Sequence, residues 1–522
     1  MKKNILNILL ELGLLVLSSF LYSLAFPSFL DDWGWSFLAW FSLIPLFVVI
    51  HRANWLKTVL YGIFYGFVTY RILNFWLEVF NPVAYIVVPI IYAGFFLAFF
   101  PLFKWADTRM PRRSWLFQSL FWVLYEVVRA KGFVGYTYGI LGYTQFRFLS
   151  LIGIADITGV LGVSLLVVIP SAYIAWVINY VPLKEVLSWK TFKPAVVYGS
   201  VLAAVLMYGR LAMVDYSESP TWRTTLIQHN EDAWRSSVEQ YKKAYRNLSD
   251  LSARAIEADK PDVVIWPETA FVPAIEWHEK YRQESEKLVL VKQLRSFFKE
   301  SGIDFIIGNN DSVMDGNEKK SWNAALLFED GEITDRYHKL HLVPFGEYFP
   351  YERLMPRLHQ YILDQGAAMY EHGEEWTVLE QGGVKFSCTI CYEDVFPYLA
   401  RGFVKEGAEV IVNITNDAWS PAAAACMQHG AMAVFRSVEN RRSMVRSTCS
   451  GFTAVISPNG ELLAYLQPFT DDYLTYDTPV YTGRTTVYTR LGDWFELLIV
   501  LASLGAAVYF VLTTLKERKN DR

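Results

Sequence analysis

Long apolar runs alternate with short charged connections over residues 1–215 of the chain. Each run is close to the roughly 20 residues that a helix needs to cross a bilayer. The pattern therefore predicts seven membrane-spanning helices, and an eighth apolar run closes the chain just before a basic tail. The predicted spans are residues 5–26, 33–50, 56–73, 83–103, 114–130, 160–181, 194–214 and 494–514.

Residues 216–490 break this pattern with dense charge, short β-rich runs and helix-period stretches. Alternation of strands and helices predicts an α/β domain with helices outside its sheet layers. We therefore expect a membrane bundle at 1–215, an α/β domain at 216–490 and a last span with its tail at 491–522. The predicted strands lie at residues 224–230, 261–268, 304–310, 323–339 (a hairpin), 383–391, 409–417 and 451–466, and the predicted helices at 234–258 and 428–445, the latter amphipathic. Turn residues at 329–332 and 458–460 predict two hairpin turns.

Basic residues are concentrated at the N-terminus and in the loops after the second, fourth and sixth runs, whereas the loops after the first and third runs have none. Cytoplasmic loops carry such an excess of Lys and Arg, so both termini are predicted to be cytoplasmic and residues 216–490 to face outward. The N-terminal Lys2-Lys3, the apolar run and Ser23-Leu24-Ala25 also resemble a signal peptide. The length of the run and its place in a polytopic bundle favour an uncleaved first span.

Composition agrees with a membrane protein that has a large soluble part. Hydrophobic residues make up 53% of the 522 residues and charged residues 19%, which is more apolar than a typical soluble protein. The net charge of −4 gives no indication of a nucleic-acid partner. Four cysteines are too few for a disulfide scaffold, and their spacing does not supply a four-ligand zinc set.

Three side chains that could take part in catalysis follow predicted strands. Glu268 ends the apolar stretch VVIWPE, where partial desolvation makes a carboxylate a better general base. Lys339 ends the hairpin, where a fixed ammonium can stabilise an oxyanion. Cys391 ends GVKFSCTI, and the following YEDVF predicts the first turn of a helix, whose N-terminus favours the thiolate. Each alone is also compatible with an ordinary role: a solvated Glu, a surface Lys or a small buried Cys.

The frame Cys388-x-x-Cys391 allows a redox pair, half a zinc site, a disulfide or a coincidence. Residues three apart on a strand point to opposite faces and lie roughly 10 Å apart, whereas a disulfide needs Cα atoms within about 7 Å. No second Cys or His pair stands nearby to complete a zinc site. The frame is therefore interpreted as accidental, with Cys388 inside the strand and Cys391 at the turn.

The stretches WPETAF, YHKLHLVPFGEYFP, CYEDVFP and NITNDAW resemble the nitrilase (carbon–nitrogen hydrolase) superfamily, whose catalytic residues are Glu, Lys and Cys in that order. This resemblance implies an α-β-β-α sandwich. Residues 141–167 and 428–461 extend it, so that the whole chain resembles the bacterial apolipoprotein N-acyltransferase family, with eight spans and a periplasmic domain. The chain departs from that family at 420–426, after NDAW, and at Cys449, where Asn is common; both concern the shape of the substrate pocket.

The resemblance implies transfer of an acyl chain from a phospholipid, through a Cys391 thioester, to the N-terminal α-amine of a diacylglyceryl-cysteine in an apolipoprotein. Glu268 would be the general base and Lys339 the oxyanion donor, helped by a backbone amide near the Cys391 turn. Glu347 is expected to orient Lys339, Glu393 to shape the turn and Tyr392 to help position the acyl group. No metal or cofactor is implied, because an ester is already an activated donor. A monomer in the bacterial inner membrane, with its catalytic domain in the periplasm, is expected.

Two other functions remain open at this stage. A membrane-tethered amidase would use the same three residues, since water and an amine can attack the same thioester; a bundle of many spans argues against it. A transporter with a non-catalytic outer domain is disfavoured because the spans hold few ionisable groups. The apolar segment 345–370 is expected to form a lid that dips into the membrane interface, with ordinary core packing as the alternative.

Overall fold

The computed structural model describes residues 2–80, 82–132, 135–231, 237–282, 285–364 and 369–520. The chain divides into two compact units. We call the first the helical unit; it comprises Met1–Met213, Met427–Ala431 and Leu491–Arg522. We call the second the α/β unit; it comprises Val214–Cys426 and Met432–Arg490.

The helical unit begins with ten helices in chain order. Among the described residues, five helices of the whole chain are long and apolar enough to cross a membrane: Lys3–Ala25, Pro82–Arg109, Val160–Tyr180, Trp189–Leu211 and Trp494–Glu517. The first ten helices are α1 (Lys2–Ala25), α2 (Ile44–Arg52), α3 (Trp55–Leu73), α4 (Leu77–Phe80), α5 (Pro82–Arg109), α6 (Ser114–Arg129), α7 (Leu149–Ile152), α8 (Ala155–Thr158), α9 (Val160–Tyr180) and α10 (Trp189–Leu211), with 3₁₀ turns at Ser36–Trp40, Leu141–Gln145 and Leu183–Glu185.

The predicted count of eight spans is not confirmed. The predicted span 33–50 is divided into a 3₁₀ turn and the nine-residue α2, because Pro45 has no amide hydrogen to continue a helix and instead opens a new one. The predicted span 114–130 coincides with α6, which has only 16 residues. The predicted span 56–73 coincides with α3, whose 19 residues include Lys57 and Arg71.

Helices α3 and α5 approach each other closely through two glycines. A Cβ on Gly62 would lie 2.6 Å from the carbonyl oxygen of Phe96, and one on Gly66 would lie 2.7 Å from that of Tyr92. Small residues on one face of a helix allow such backbone contact, a common device where helices pack in a membrane. Any larger side chain at either position would push the two helices apart.

Within its described residues, the α/β unit contains two six-stranded sheets. The first sheet has the strand order β12-β1-β2-β3-β4-β5 and the second β11-β10-β9-β8-β7-β6. Strands β1, β2 and β3 pair in parallel in the first sheet, as do β7, β8 and β9 in the second. The strands are β1 (Thr221–Gln228), β2 (Val263–Ile265), β3 (Asp304–Asp315), β4 (Glu318–Glu329), β5 (Glu332–His338), β6 (Val378–Gln381), β7 (Val384–Ile390), β8 (Val410–Thr415), β9 (Ser443–Thr448), β10 (Ala454–Ile456), β11 (Leu462–Tyr465) and β12 (Asp472–Pro479).

Helices cover the outer faces of the sheets and give the α-β-β-α sandwich that the resemblance implied. Helices α11 and α13 cover the first sheet, where Trp266, Phe298 and Phe305 form part of one buried apolar cluster. Between the sheets, the rings of Trp222 and Phe386 lie 5.2 Å apart. The remaining helices are α11 (Val238–Asp259), α12 (Ile275–Tyr281), α13 (Glu286–Ser301), α14 (Pro356–Asp364), α15 (Pro397–Lys405), α16 (Ala423–Asn440), α17 (Val487–Leu491) and α18 (Trp494–Asn520).

Two details of the predicted α/β pattern are wrong. The helix predicted at 428–445 is α16, which ends at Asn440 because Arg441 adopts a left-handed conformation with φ of 51°. Residues 424 to 440 of this helix are all buried, including its polar side chains. Strands β6, β9 and β12 were not predicted. Every strand that was predicted overlaps an observed strand. The predicted hairpin turns at 329–332 and 458–460 connect β4 to β5 and β10 to β11.

Candidate active site

Glu268 lies in the loop that follows β2 and is 6% exposed. The side-chain amide of Asn323 donates a hydrogen bond to its Oε1 (2.8 Å), and the backbone N–H of Asn416 donates to its Oε2 (3.0 Å). Strand β3 passes directly beneath the loop at Gly308, where a Cβ would lie 2.5 Å from the Cα of Glu268. The carboxylate is therefore fixed by donors to both of its oxygens and by the backbone below it.

Lys339 follows β5 and is 1% exposed. Its backbone N–H donates to the carbonyl oxygen of Asn323 (2.9 Å), which continues the β4–β5 pairing. Its ammonium donates to Glu347 Oε1 (2.8 Å) and lies 3.5 Å from Glu268 Oε1. Burial alone would lower the pKa of the Lys339 ammonium, but the carboxylates of Glu347 and Glu268 outweigh burial and raise it well above its ordinary value. Lys339 is therefore a permanent buried cation.

Glu347 completes this cluster from the loop after β5. Besides the Lys339 ammonium, it accepts a hydrogen bond at Oε2 from the backbone N–H of Val343 (2.8 Å). The amide of Asn323, which also contacts Glu268, donates to Glu347 Oε1 (2.9 Å). One ammonium and one side-chain amide thus stand between two carboxylates. The structure brings together Glu268, Lys339 and Glu347, which are up to 79 residues apart in the sequence.

Cys391 sits at a sharp turn between β7 and a five-residue 3₁₀ segment, Cys391–Val395. Its φ of 53° lies in the left-handed region, which costs energy for a residue with a side chain. The side-chain amide of Asn413 donates to its carbonyl oxygen (3.3 Å) and holds the turn. The α-helix predicted to begin here starts later, at Pro397, since a proline is suited to the first position of a helix.

The predicted stabilisation of a Cys391 thiolate is wrong. Burial raises the pKa of the Cys391 thiol well above its ordinary value, and the negative charges of Glu268 and Asp417 raise it further. The Lys339 ammonium and the Thr415 hydroxyl oppose this shift without reversing it. A nucleophilic attack by the Cys391 sulfur therefore requires a base to remove the thiol proton.

Cys388 lies inside β7 and is fully buried, three residues before the turn. Burial raises the pKa of its thiol as well. The four cysteines of the chain all lie within the described residues and are thiols in the structure. The two sulfurs of the Cys-x-x-Cys frame therefore differ in environment, and no disulfide joins them.

Glu393 links the cysteine turn to the end of the lysine strand. It is completely buried and accepts hydrogen bonds from the backbone N–H of Ile390 (2.7 Å), before the turn, and from those of Leu340 (2.8 Å) and His341 (2.9 Å), after Lys339. The Tyr337 hydroxyl donates to the same carboxyl group (2.8 Å). Burial raises the pKa of Glu393 to about 7. The side chain thus holds two chain segments that carry candidate catalytic residues.

A buried ion network also supports the turn. Arg446 in β9 donates to Asp394 Oδ2 (3.1 Å) and to Asp417 Oδ2 (3.2 Å), and all three side chains are fully buried. Asp394 belongs to the cysteine turn, and Asp417 belongs to the loop that supplies the Asn416 amide to Glu268. Removing one partner from such a buried network leaves an uncompensated charge, which is strongly destabilising.

Tyr392, next to Cys391, packs edge-on against Phe396 with ring centroids 5.0 Å apart. The predicted lid, 345–370, contains α14, in which no residue is buried. Leu354 is 77% exposed and Leu358 is 43% exposed. These two side chains are therefore not part of a protein core, and the lid stays a prediction; residues 365–368 of the segment lie outside the described residues.

Sequence inspection assigned no role to Asn323, Asn413 and Asn416, which hold the candidate site together. Asn323 had a detectable signal, because a polar residue stands alone beside the apolar run AALLF of a predicted strand. Asn416 acts through its backbone, which no side-chain pattern reveals. Within the described residues, no group of three or more His, Cys, Asp or Glu side chains is placed to hold a metal ion.

The sandwich and the sequence of this domain place it in the carbon–nitrogen hydrolase class. The family model "Carbon-nitrogen hydrolase" matches residues 223–486. A solved structure, an amidase from Nesterenkonia sp., is 22% identical, with a TM-score of 0.37, and the similarity covers 50% of this chain and 92% of that one.

The helical unit narrows the class further. The model "Apolipoprotein N-acyltransferase N-terminal domain" matches residues 18–173. Apolipoprotein N-acyltransferase 1 of Treponema denticola is 36% identical over 99% of both chains, and the protein of the same name from Treponema pallidum is 38% identical over 95% of this chain and 94% of its own. The chain belongs to the apolipoprotein N-acyltransferase family and is a bacterial membrane protein, as the motifs indicated.

Proposed function

We propose that the chain transfers an acyl group from a membrane phospholipid, through a thioester on Cys391, to the N-terminal α-amine of the diacylglyceryl-cysteine of apolipoproteins. The observation that carries this proposal is the cluster in which the buried Lys339 ammonium lies 2.8 Å from Glu347 and 3.5 Å from Glu268. The charges of Glu268 and Lys339 both reach the Cys391 thiol, whose pKa the first raises and the second lowers. A thiol of this kind needs a base to become a nucleophile and a cation to stabilise the oxyanion it creates. The names of the relatives, which match over nearly the whole chain, support an apolipoprotein as the acceptor, and the phospholipid donor is the one that the resemblance of the motifs implies.

In the first half-reaction, Glu268 takes the thiol proton while the sulfur attacks the ester carbonyl of the phospholipid. The total charge of the site does not change, because the proton neutralises Glu268 as the oxyanion forms. Lys339, which faced two carboxylates, then faces Glu347 and the oxyanion. When the tetrahedral intermediate collapses, the C–O bond breaks, the lysophospholipid alkoxide takes the proton from Glu268, and a thioester remains on Cys391.

In the second half-reaction, the amine of the apolipoprotein attacks the thioester. Glu268, ionised again, accepts a proton from the attacking nitrogen, and Lys339 stabilises the second oxyanion. The C–S bond breaks, the sulfur recovers its proton, and an amide is released. Because the donor leaves before the acceptor reacts, the mechanism is ping-pong. Glu347 orients Lys339, Glu393 holds the turn, and Tyr392 contacts the acyl chain.

We place the α/β unit in the periplasm and both termini in the cytoplasm. This orientation is supported by the basic residues in alternate loops of the helical unit. The protein works as a monomer, and both substrates reach it from the membrane.

The proposal is tested by intact-mass analysis of the full chain in micelles that contain phospholipid. An acyl adduct on the wild-type protein is expected, and it should disappear when a diacylglyceryl lipopeptide with a free N-terminal amine is added. The acylated lipopeptide should appear in equal amount. If water removes the acyl group from Cys391 as fast as the lipopeptide does, the result would instead favour the alternative, a membrane-tethered amidase. No adduct at all would contradict the proposal.

The lid prediction concerns Leu354 and Leu358, which the structure leaves exposed. Changing both to Glu is expected to reduce acylation by phospholipid vesicles about tenfold or more, because inserting charged side chains into the apolar interface costs several kcal/mol. Acylation by a soluble short-chain ester should not change. Val289→Glu, at a residue 57% exposed on α13, is the matched control. Loss of activity with both donors, together with a lower unfolding temperature, would show that the segment is packed rather than a lid.

A further inference from the structure

A cavity of about 710 Å³ lies in the α/β unit beside the candidate active site. Its walls come from α12, from the start of α13, from the β3–β4 hairpin and from Met369 and Tyr370. Tyr370 connects the cavity to the catalytic cluster: its backbone N–H donates to the carbonyl oxygen of Glu347 (2.8 Å), and its hydroxyl donates to Asn310 Oδ1 (3.0 Å). The charges of Glu347 and Glu268, together with burial, raise the pKa of Tyr370 to about 12.

The register of β3 and β4 relates this cavity to the catalytic groups. Asn323, which contacts Glu268 and Glu347, stands directly opposite Asn310, and the next pairs along the same sheet face are Ser312 with Ser321 and Met314 with Lys319. Four of these residues (Asn310, Ser312, Ser321 and Lys319) line the cavity. Directly opposite residues of an antiparallel strand pair lie about 5 Å apart, and side chains two residues apart on one strand lie about 7 Å apart. The cavity therefore begins at Asn310, about 5 Å from Asn323, and continues to Lys319, about 13 Å away.

Positive charge is concentrated around the cavity. Arg282, Lys287 and Lys319 line it, and none of these three side chains forms an ion pair with another described residue. Burial lowers the pKa of Lys319, and the charges of Arg282 and Lys287 lower it further. The lining carboxylate of Glu286 lies 3.6 Å from Lys242.

The side chains of His278 and Trp277 lie close to the same positive charges. Burial lowers the pKa of His278, and Lys287 and Lys319 lower it further, although a hydrogen bond to the Ala274 carbonyl opposes them. The Lys319 ammonium lies 4.5 Å from the centre of the Trp277 ring. Among the described residues, three cations and the His278 imidazole thus line one cavity, and the lining carboxylate of Glu286 lies 3.6 Å from Lys242, so the cavity is suited to an anion.

Neutral donors stand on the same wall. The hydroxyls of Ser312 and Ser321 are 2.9 Å apart, and one donates to the other. Each hydroxyl has a single proton, so this pairing leaves one proton for a ligand in the cavity. Both side chains lie between Asn323 and Lys319 along the sheet face. A phosphate between the serines and the cations would receive hydrogen bonds from both.

We infer that this cavity binds the phosphate diester of the phospholipid whose acyl ester reacts at Cys391. The inference rests on the proposed function, because only a phospholipid donor places a phosphate a few bonds from the reacting ester. The alternative source of the same chemistry is free phosphate. The cavity then determines which lipids serve as donors, since an ester without a phosphate makes none of these contacts.

The test compares two acyl donors on the full-length protein: phosphatidylglycerol in mixed micelles, and a p-nitrophenyl acyl ester, which has no phosphate. The double variant Lys287→Gln, Lys319→Gln is expected to raise the phospholipid concentration that gives half-maximal acylation of Cys391 about tenfold or more, because charge-assisted hydrogen bonds to phosphate are lost. Acylation by the p-nitrophenyl ester should be unchanged. Lys292→Gln, at an exposed residue of the same helix α13, is the matched control and should behave like the wild type.

The outcomes separate this inference from the proposed function. If the wild type forms the adduct from phospholipid and the double variant forms it at the same concentration, the cavity inference is wrong and the proposed function stands. If the variant loses acylation by both donors, the lysines support the fold and the inference is also wrong. If neither donor acylates the wild type, the proposed function fails.

A competition experiment identifies the source of the phosphate that the cavity binds. Glycerophosphoglycerol should inhibit acylation by phospholipid more strongly than inorganic phosphate does, and equal inhibition would overturn the lipid assignment.

Discussion

Replacing Cys391 by alanine is expected to abolish acyl transfer, with a loss of about 10⁴-fold or more in the rate, because the sulfur is the only atom that the proposed mechanism bonds to the acyl group. No acyl adduct should form in the intact-mass experiment. The fold should persist, since the turn is held by the Asn413 amide and the Glu393 carboxylate rather than by the thiol. Single-turnover acylation and a thermal unfolding curve measure the two effects separately.

Cys388 provides the matched control for this prediction. It is the same residue type, three positions earlier, and it is fully buried inside β7. Cys388→Ala removes one sulfur atom from the core, so it is expected to cost about 1 kcal/mol of stability and to leave acylation within a factor of two or so. An adduct that persists in Cys391→Ala but disappears in Cys388→Ala would exchange the roles of the two thiols. Equal loss in both variants would point to a shared structural effect.

The local pattern predicted the parts of the fold that depend on neighbouring residues. Apolar runs and β-rich runs indicated a helical part and an α/β part, and the turn residues at 329–332 and 458–460 marked two hairpins. Strand β9 was missed because it has Arg446 at its centre, and a charged residue in a strand suggests exposure. Its hydrogen bonds to Asp394 and Asp417, 52 and 29 residues earlier in the chain, explain why that arginine is buried.

Strand β12 was missed for a different reason. It is an edge strand that pairs only with β1 in its sheet, and most of its residues are half-buried or exposed. The alternation of apolar and polar residues that identifies a one-faced strand is weak there. The span count is not confirmed where a proline or a charged residue interrupts an apolar run, since the average hydropathy of a run does not reveal features that end a helix.

The order of Glu268, Lys339 and Cys391 was found from motifs, whereas the electrostatics of the site were not. The residues that follow Cys391 in the sequence suggest a helix N-terminus, and a helix N-terminus next to the thiol predicts a thiolate. The structure adds burial and the charges of Glu268 and Asp417, which arrive from other parts of the chain and reverse the sign. Asn323 was overlooked in the same way: its significance lies in its position between two carboxylates that the sequence separates widely.

Because Glu268 raises the pKa of the Cys391 thiol and is also its proposed base, the variant Glu268→Gln is expected to slow the acylation of Cys391 and to accelerate its alkylation. Acylation of Cys391 by phospholipid is expected to fall about 10²- to 10⁴-fold, the usual contribution of a general base, because an amide cannot accept the thiol proton. Alkylation of Cys391 by iodoacetamide at pH 8 is expected to rise about tenfold. The negative charge of Glu268 raises the pKa of the Cys391 thiol, so its removal lowers that pKa and increases the thiolate fraction at a given pH.

The pH dependence of alkylation shows in which direction the pKa of the Cys391 thiol changes in Glu268→Gln. In the wild type, the pKa of the Cys391 thiol lies well above its ordinary value, so the alkylation rate should still be increasing above pH 9. In Glu268→Gln the same curve should move to lower pH, while Lys339 remains paired with Glu347. Glu380→Gln, at an exposed residue of β6, is the control and should shift neither measurement. A purely structural defect would slow acylation and alkylation together, since both need the thiol at the same turn. Faster alkylation combined with slower acylation is explained only by a carboxylate that raises the proton affinity of the thiol and also receives its proton.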